Sequence, residues 1–325
     1  MELPSLDAIH AAAAIVGRAM PPTPQYTWPL LNARCGTEVW VKHENHTQLG
    51  AFKIRGALVY MDWLRHAHPE TRSVVCATRG NFGQAVAFGA LQQGLKAQIV
   101  VPHGNSREKN RAIRALGADL IEHGSDFQAS SEYAIELAAK TGAHRVPSFH
   151  PLLVHGTATY AVEFLRGAPD LDTVYVPVGM GSSICGMVAA RNALGLSTRI
   201  VGVVSDAAPA YALSFLERRP VAHEVKTKLA DGLACRTPDP LAVDWMVGGV
   251  ERMVEVSEAE VAEAMLALYQ DIHNVAEGAG ASALAGLLTE REQMQGKRIG
   301  IVLTGGNVDA EVFAEILSVA SAVEA

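Results

Sequence analysis

Along the chain, short runs dense in Val and Ile alternate with longer Ala/Leu-rich segments whose apolar residues recur three and four apart. The short runs cover residues 38–42, 73–77, 97–101, 173–178, 199–204 and 299–304. Each gives way to a turn-forming or polar residue, the pattern of a strand buried in a parallel sheet. The helical segments include 85–93, 106–116, 127–140, 257–269 and 282–292. Two carry start signals: Ser106 with Glu108 in the first turn, and Ser257 with Glu260 three residues on, a capping box. Strand–helix–strand repetition at this spacing predicts an α/β chain of open, mostly parallel sheets with helices on both faces.

Breaks in the pattern suggest the organisation. Pro21, Pro22 and Pro24 end a first helix, and the Pro147–Pro151 stretch with Phe149 and His150 forms a second break. The expected division is a large unit of residues 1–47 plus 149–325 and a small unit of 48–148 inserted into it. A length of 325 residues fits two domains at about 150 residues each.

Composition then removes several function classes. Hydrophobic residues at 49% and charged residues at 19% leave no room for a long disordered tail. With 27 basic and 34 acidic residues the net charge is −7, and no Lys/Arg block stands out, which argues against nucleic-acid binding. The four cysteines (Cys35, Cys76, Cys185, Cys235) have no paired spacing, against a disulfide framework or a structural zinc site. The N-terminus lacks a basic, apolar leader, and no apolar run approaches the roughly 20 residues of a membrane span, so a cytoplasmic protein is expected.

Three Gly-rich loops each directly follow a predicted strand: Thr78-Arg79-Gly80-Asn81-Phe82-Gly83-Gln84, Gly179 through Gly186, and Thr304-Gly305-Gly306-Asn307. Ligands of open parallel sheets collect outside the carboxyl ends of strands, so the three loops are placed to share one site. The second is the best phosphate cradle, since Ser182 and Ser183 add hydroxyls where a helix begins. Its Gly-x-Gly-x-x-x-x-Gly spacing misses the dinucleotide fingerprint, and alone it is also compatible with a tight strand–helix turn. Lys53, in Gly50-Ala51-Phe52-Lys53-Ile54-Arg55-Gly56-Ala57, supplies the partner. Most single lysines are solvated surface charges. This one is enclosed by apolar and small residues at a helix start, where desolvation and the helix dipole lower an ammonium pKa and leave a nucleophilic amine. An amine beside a phosphate cradle points to a phosphorylated aldehyde held as an imine, a description that pyridoxal phosphate fits.

At this point the chain resembles the fold-type II pyridoxal-phosphate enzymes of the threonine/serine dehydratase and serine racemase branch. The likeness runs nearly end to end, through Pro22-Thr23-Pro24, Lys42-His43-Glu44, Gly50–Ala57, Thr78–Gln84, His155-Gly156-Thr157, Gly179–Gly186, Ala230-Asp231-Gly232, Glu277-Gly278-Ala279-Gly280-Ala281 and Thr304–Asn307. It implies a tryptophan-synthase-β-like fold and pyridoxal phosphate as cofactor. Lys53 would carry the cofactor as an imine and move the α-proton. Phe52 would pack on its ring, Asn81 would bond its phenolic oxygen, and Gly179, Met180, Gly181, Ser182 and Ser183 would hold its phosphate. Thr304 would meet its ring nitrogen, and Glu277 would lie near the ring or simply cap a helix. Thr78, Gly80 and Phe82 would stand in the loop that receives the substrate carboxylate, with Arg79 beside them. A neutral Thr304 favours β-elimination over transamination, because it does not keep the ring nitrogen protonated as a carboxylate would.

The resemblance thus implies a lyase acting on a small β-hydroxy amino acid. Threonine or serine is the default, with 3-hydroxyaspartate (from Arg79) or phenylserine (from Phe82) as specialised substrates. A homodimer follows by analogy. The alternatives are a β-replacement synthase of the cysteine-synthase type, a serine-racemase-like enzyme, and a catalytically silent small-ligand-binding relative. The first loop departs from the family's Ser-Ser-Gly-Asn-His-Gly-Gln at Arg79 and Phe82. Where serine racemases place a second acid/base serine, Arg79 stays protonated, which argues against racemisation. The stretch 205–211 has one acid where relatives bind a cation, so no metal is expected. The chain runs 18 residues beyond Asn307, too few for the regulatory domain of the biosynthetic dehydratases.

Overall fold

The computed structural model describes residues 2–168 and 170–323. The strands are β1 (Gln25–Thr27), β2 (Glu38–His43), β3 (Ser73–Ala77), β4 (Lys96–Val101), β5 (Asp119–Glu122), β6 (His144–Arg145), β7 (Thr173–Pro177), β8 (Arg199–Ser205), β9 (Arg252–Val256) and β10 (Arg298–Leu303). The helices are α1 (Leu6–Val16), α2 (Pro29–Cys35), α3 (Lys53–Ala67), α4 (Asn81–Gln92), α5 (Arg107–Ala115), α6 (Phe127–Thr141), α7 (Pro151–Gly167), α8 (Ser182–Ala193), α9 (Ala210–Glu217), α10 (Pro240–Gly249), α11 (Glu258–Ile272), α12 (Gly278–Thr289) and α13 (Ala310–Val323). They build an α/β fold of two sheets. One has six strands in the order β1-β2-β10-β7-β8-β9, the other four in the order β5-β4-β3-β6. Every pairing is parallel except that of β1 with β2 at one edge.

The four-stranded sheet draws all its strands from residues 73–145, and the six-stranded sheet draws its own from 25–43 and 173–303. In the smaller sheet the chain runs from β3 outward to β5, then returns to place β6 on the other side of β3. In the larger it runs from β7 outward to β9, then returns to place β10 on the other side of β7. These reversals leave crevices at the carboxyl ends of β3, β7 and β10, the three strands whose loops are Gly-rich.

Strands read from Val/Ile density are the ones buried on both faces: β7 is buried at every residue and β10 at all but its first. The strands that the pattern did not predict are edge or near-edge pieces with weak burial: β1, β5, β9 and the two-residue β6. Four helices differ from expectation by more than one residue at one end or both, α11 among them because it runs on to Ile272 rather than stopping at 269. Helix α1 stops at Val16 and is capped by Gly17, ahead of the prolines. Helix α4 starts at Asn81 rather than 85, and α12 spans Gly278–Thr289 rather than 282–292. Both begin in glycine-containing turns whose small or polar residues carry no apolar period. The Ser257–Glu260 capping box forms as read, and Ser106 caps α5 through the Lys109 amide.

Between the sheets, α3 is anchored by a buried ionic network. Arg55 pairs with Glu44 at 2.8 Å and with Glu163 at 2.7 Å, and Lys42 pairs with Glu163 at 2.7 Å. Thr159 accepts a further bond from Arg55 at 3.0 Å. Breaking a buried pair of this kind strands a charge away from water, so the network holds the first turn of α3 in one place against β2 and α7. Close backbone contact helps, since a Cβ at Gly156 of α7 would fall 2.3 Å from the Arg55 carbonyl oxygen. Among the described residues no helix is long and apolar enough to cross a membrane.

Candidate active site

The first turn of α3 is tied to the loop after β10. Phe52 donates its amide to the Thr304 carbonyl at 3.0 Å, Ala51 forms an antiparallel bridge with Gly305, and Gly306 donates to the Gly50 carbonyl at 2.9 Å. Gly50 has φ +67°, and a Cβ there would sit 2.5 Å from Asn307 Oδ1, so glycine is required twice over. This stitching sets Lys53, the first residue of α3, at the carboxyl end of the six-stranded sheet. Its Nζ lies 4.1 Å from the centroid of the Phe52 ring. Among the described residues the Lys53 amine makes no hydrogen bond or ion pair. Burial pushes the amine down to about 8, opposed by the charge of Glu277.

The turn after β7 is built from backbone. A Cβ at Gly179 would fall 2.3 Å from the Gly232 carbonyl, and one at Gly181, where φ is +95°, would fall 2.8 Å from the Met246 methyl. Gly181 is the N-cap of α8 and has no side chain to cap it. The first-turn amides of this helix therefore face outward as an anion seat. Ser182 stands at that start. Ser183 lines the same cleft, but its hydroxyl is 2.6 Å from the Tyr160 hydroxyl and turned toward the core.

The turn after β3 is a second such seat. Thr78 Oγ1 accepts from the amides of Gly80 at 2.9 Å and Gly83 at 3.3 Å, shaping the loop before α4. The amides of Asn81 and Phe82, in the first turn of α4, have no acceptor inside the helix. The Thr78 side chain thus orders this seat rather than facing outward. Phe82 is only 8% exposed and packs into the core of the four-stranded sheet, showing an edge to the cleft. Asn81 Nδ2 donates to Glu277 Oε1 at 2.6 Å, and Asn81 Oδ1 accepts from Asn307 at 2.9 Å. Glu277 occupies the N-cap position of α12 without making a capping bond. Its carboxyl points instead into the cleft, where burial pushes its pKa up against the pull of Lys109.

The fourteen residues singled out from the sequence, Phe52, Lys53, Thr78 through Phe82, Gly179 through Ser183, Glu277 and Thr304, all line one cleft of about 850 Å³, open mouth included. Sequence reasoning gave no role to Asp231 and did not find Lys109. The Lys109 ammonium lies 2.8 Å from Asp231 and 3.1 Å from Glu277, and these two carboxylates push its pKa up in spite of burial. In the chain Lys109 belongs to Arg-Glu-Lys-Asn-Arg, which reads as the solvated face of a helix. In the fold its stem packs on Gly80, where a Cβ would strike it at 2.3 Å. Among the described residues no group of three or more His, Cys, Asp or Glu side chains is arranged to hold a metal ion.

The cleft thus offers an unpaired amine of depressed pKa, an aromatic ring beside it, and two bare helix starts. That set fits pyridoxal phosphate: an aldehyde for Lys53, a phosphate for the α8 seat, and a second seat left for a carboxylate.

Residues 16–305 match the family model described as pyridoxal-phosphate dependent enzyme. The chain is 35% identical over 292 residues to an L-threonine ammonia-lyase of Thermotoga maritima, covering 89% of this chain and 72% of that one. It is 30% identical to an L-threo-3-hydroxyaspartate ammonia-lyase of Saccharomyces cerevisiae, covering 91% of each. Among solved structures, the processed form of threonine deaminase isoform 2 from Solanum lycopersicum superposes with a TM-score of 0.87 at 26% identity, covering 97% of this chain and 94% of that one.

Proposed function

The chain belongs to the pyridoxal-phosphate dependent enzyme family, and from that premise we propose that it is a lyase that converts a β-hydroxy amino acid into a 2-oxo acid and ammonia, the water lost in the elimination being taken up again in the hydrolysis. The observation that carries the reading is the Lys53 amine, brought down to about 8 by burial and, among the described residues, without a partner in a cleft that the α4 and α8 starts also line. The lyase class agrees with relatives named ammonia-lyases. By the bond lost overall these are carbon–nitrogen lyases, although the carbon–oxygen bond is the one expected to break first.

Bound pyridoxal phosphate supplies an aldehyde for amine linkage and a ring that draws electron density from the substrate Cα. The first-turn amides of α8, with the Ser182 hydroxyl, hold its phosphate. The Asn81 and Phe82 amides at the start of α4 hold the substrate α-carboxylate, in a loop that the Thr78 hydroxyl keeps in shape. Lys53 accepts the Cα proton at Nζ, a role suited to an amine whose pKa lies near 8, within reach of physiological pH. The Cα–H electron pair becomes the Cα–Cβ double bond as the Cβ–O bond breaks, and the hydroxyl leaves with a proton as water. The released enamine tautomerises and takes up water, giving a 2-oxo acid and ammonia. Thr304, buried and neutral, presents a hydroxyl where a carboxylate would have kept the ring nitrogen protonated, which favours prompt loss of the β-group.

The same reading gives the cofactor to residues 1–47 with 149–325 and the substrate side to 48–148, and makes the protein a cytoplasmic homodimer by analogy with the family. A panel of β-hydroxy amino acids assayed for oxo acid, with and without an added thiol, tests it. Oxo-acid release without thiol is the expected result. Turnover that requires thiol would instead assign a β-replacement synthase.

A further inference from the structure

Two carboxylates, Asp231 and Glu277, reach the cleft, and both are taken by one cation. Lys109 lies within 3.1 Å of each, and Asn81 holds the remaining oxygen of Glu277. Arg79 lines the same cleft, half-buried, and among the described residues its guanidinium has no acidic partner and no hydrogen-bond acceptor. A guanidinium does not shed its proton, and a partly desolvated cation without a counter-charge is costly. Arg79 also lines an adjoining hollow that shares Lys109, Asp231 and Glu277 with the cleft.

The other anions of the reaction have seats of their own. The cofactor phosphate has the start of α8, and the substrate α-carboxylate has the start of α4. Arg79 remains for a third negative group. We propose that Arg79 recognises a carboxylate on the substrate side chain, so that the preferred substrate is a β-hydroxy amino acid with a second carboxylate on Cβ, of the 3-hydroxyaspartate type. This inference rests on the lyase reading. It also favours one of the two specialised substrates named from the sequence, because Phe82, the residue that suggested an aromatic one, packs mainly into the core and shows the cleft little surface.

The test compares the stereoisomers of 3-hydroxyaspartate with serine and threonine on the cofactor-loaded enzyme. In the wild type, kcat/KM for one hydroxyaspartate isomer exceeds that for serine by at least about tenfold. In Arg79→Gln the ratio of the two kcat/KM values falls on the order of 100-fold, mostly through KM of the dicarboxylate. Arg79→Lys recovers only a small part of it, because an ammonium lacks the forked geometry that meets a carboxylate with two bonds. A ratio within about threefold of wild type in Arg79→Gln overturns the proposal. So does an equal loss for serine and the dicarboxylate, which would put Arg79 on the α-carboxylate. Calorimetric binding of succinate provides a readout independent of turnover: it is expected in the wild type and lost in Arg79→Gln. If no substrate is turned over, the lyase reading fails while the succinate result still decides the role of Arg79. Equal succinate binding by both proteins overturns it.

Discussion

Two lysines wall the same cleft and have opposite characters. Lys53 is the first residue of α3 and Lys109 lies in the first turn of α5, so each meets the unfavourable end of a helix dipole. Both are desolvated. What separates them is the acid count: Lys109 is hydrogen-bonded to Asp231 and ion-paired with Glu277, whereas Lys53 feels Glu277 only at a distance. Burial therefore wins at Lys53 and lowers its pKa, and loses at Lys109, whose pKa rises. Reactivity in this cleft follows from where the carboxylates are spent, and Lys109, by spending them, leaves Lys53 free.

That contrast can be broken in several ways. The largest effect is expected from Lys53→Ala, which should abolish the visible absorbance of the linked cofactor and lower oxo-acid turnover by roughly three orders of magnitude or more. Full activity in that variant would refute the chemistry outright. Next comes Lys109→Met, which strands two carboxylates. Because the Asp231 side chain keeps a quarter of its exposure, the expected loss is about 2–3 kcal/mol, read from the urea midpoint. An unchanged midpoint would mean that the ion pairs hold nothing together.

A third prediction concerns pH. With the Lys53 amine near 8, its neutral fraction grows about tenfold per pH unit below that value and levels off above it. The rate at which the apoprotein takes up added pyridoxal phosphate, followed by absorbance, should rise in the same way. In Lys109→Met the charge of Glu277 is no longer spent on Lys109 and supports the Lys53 ammonium more, so the midpoint should move up. A midpoint that stays put would uncouple the two lysines. The smallest effect is expected from Thr78→Ala, which removes the acceptor of two loop amides and should cost about 1 kcal/mol in an unfolding titration. If KM for the amino acid is also unchanged, the loop keeps its shape without the hydroxyl.

Legibility in the sequence followed burial and locality. Strands such as β7, buried on both faces, carry unbroken apolar runs and were read almost to the residue, whereas β5 and β9 have half-exposed patterns that resemble loop. Helix α7 is buried nearly all round and follows a proline-rich break, so no amphipathic stripe announced it. In the site, loops that present backbone to a ligand could be read because glycine has few other reasons to recur there. Side chains whose partners lie far along the chain could not. Thr78 and Ser183 carry the expected residue types, but their hydroxyls face Gly80, Gly83 and Tyr160.

From the amino-acid order alone came the α/β class, the three glycine turns and the singular position of Lys53, because each is a local matter of periodicity, backbone freedom and immediate neighbours. Folding settled the rest. It brought Lys109 across from α5 to meet Asp231 and Glu277, the first of them 122 positions away, and so left Arg79 without an acidic partner among the described residues. Electrostatic pairing depends on distance in space, and distance in space is what a linear pattern does not record.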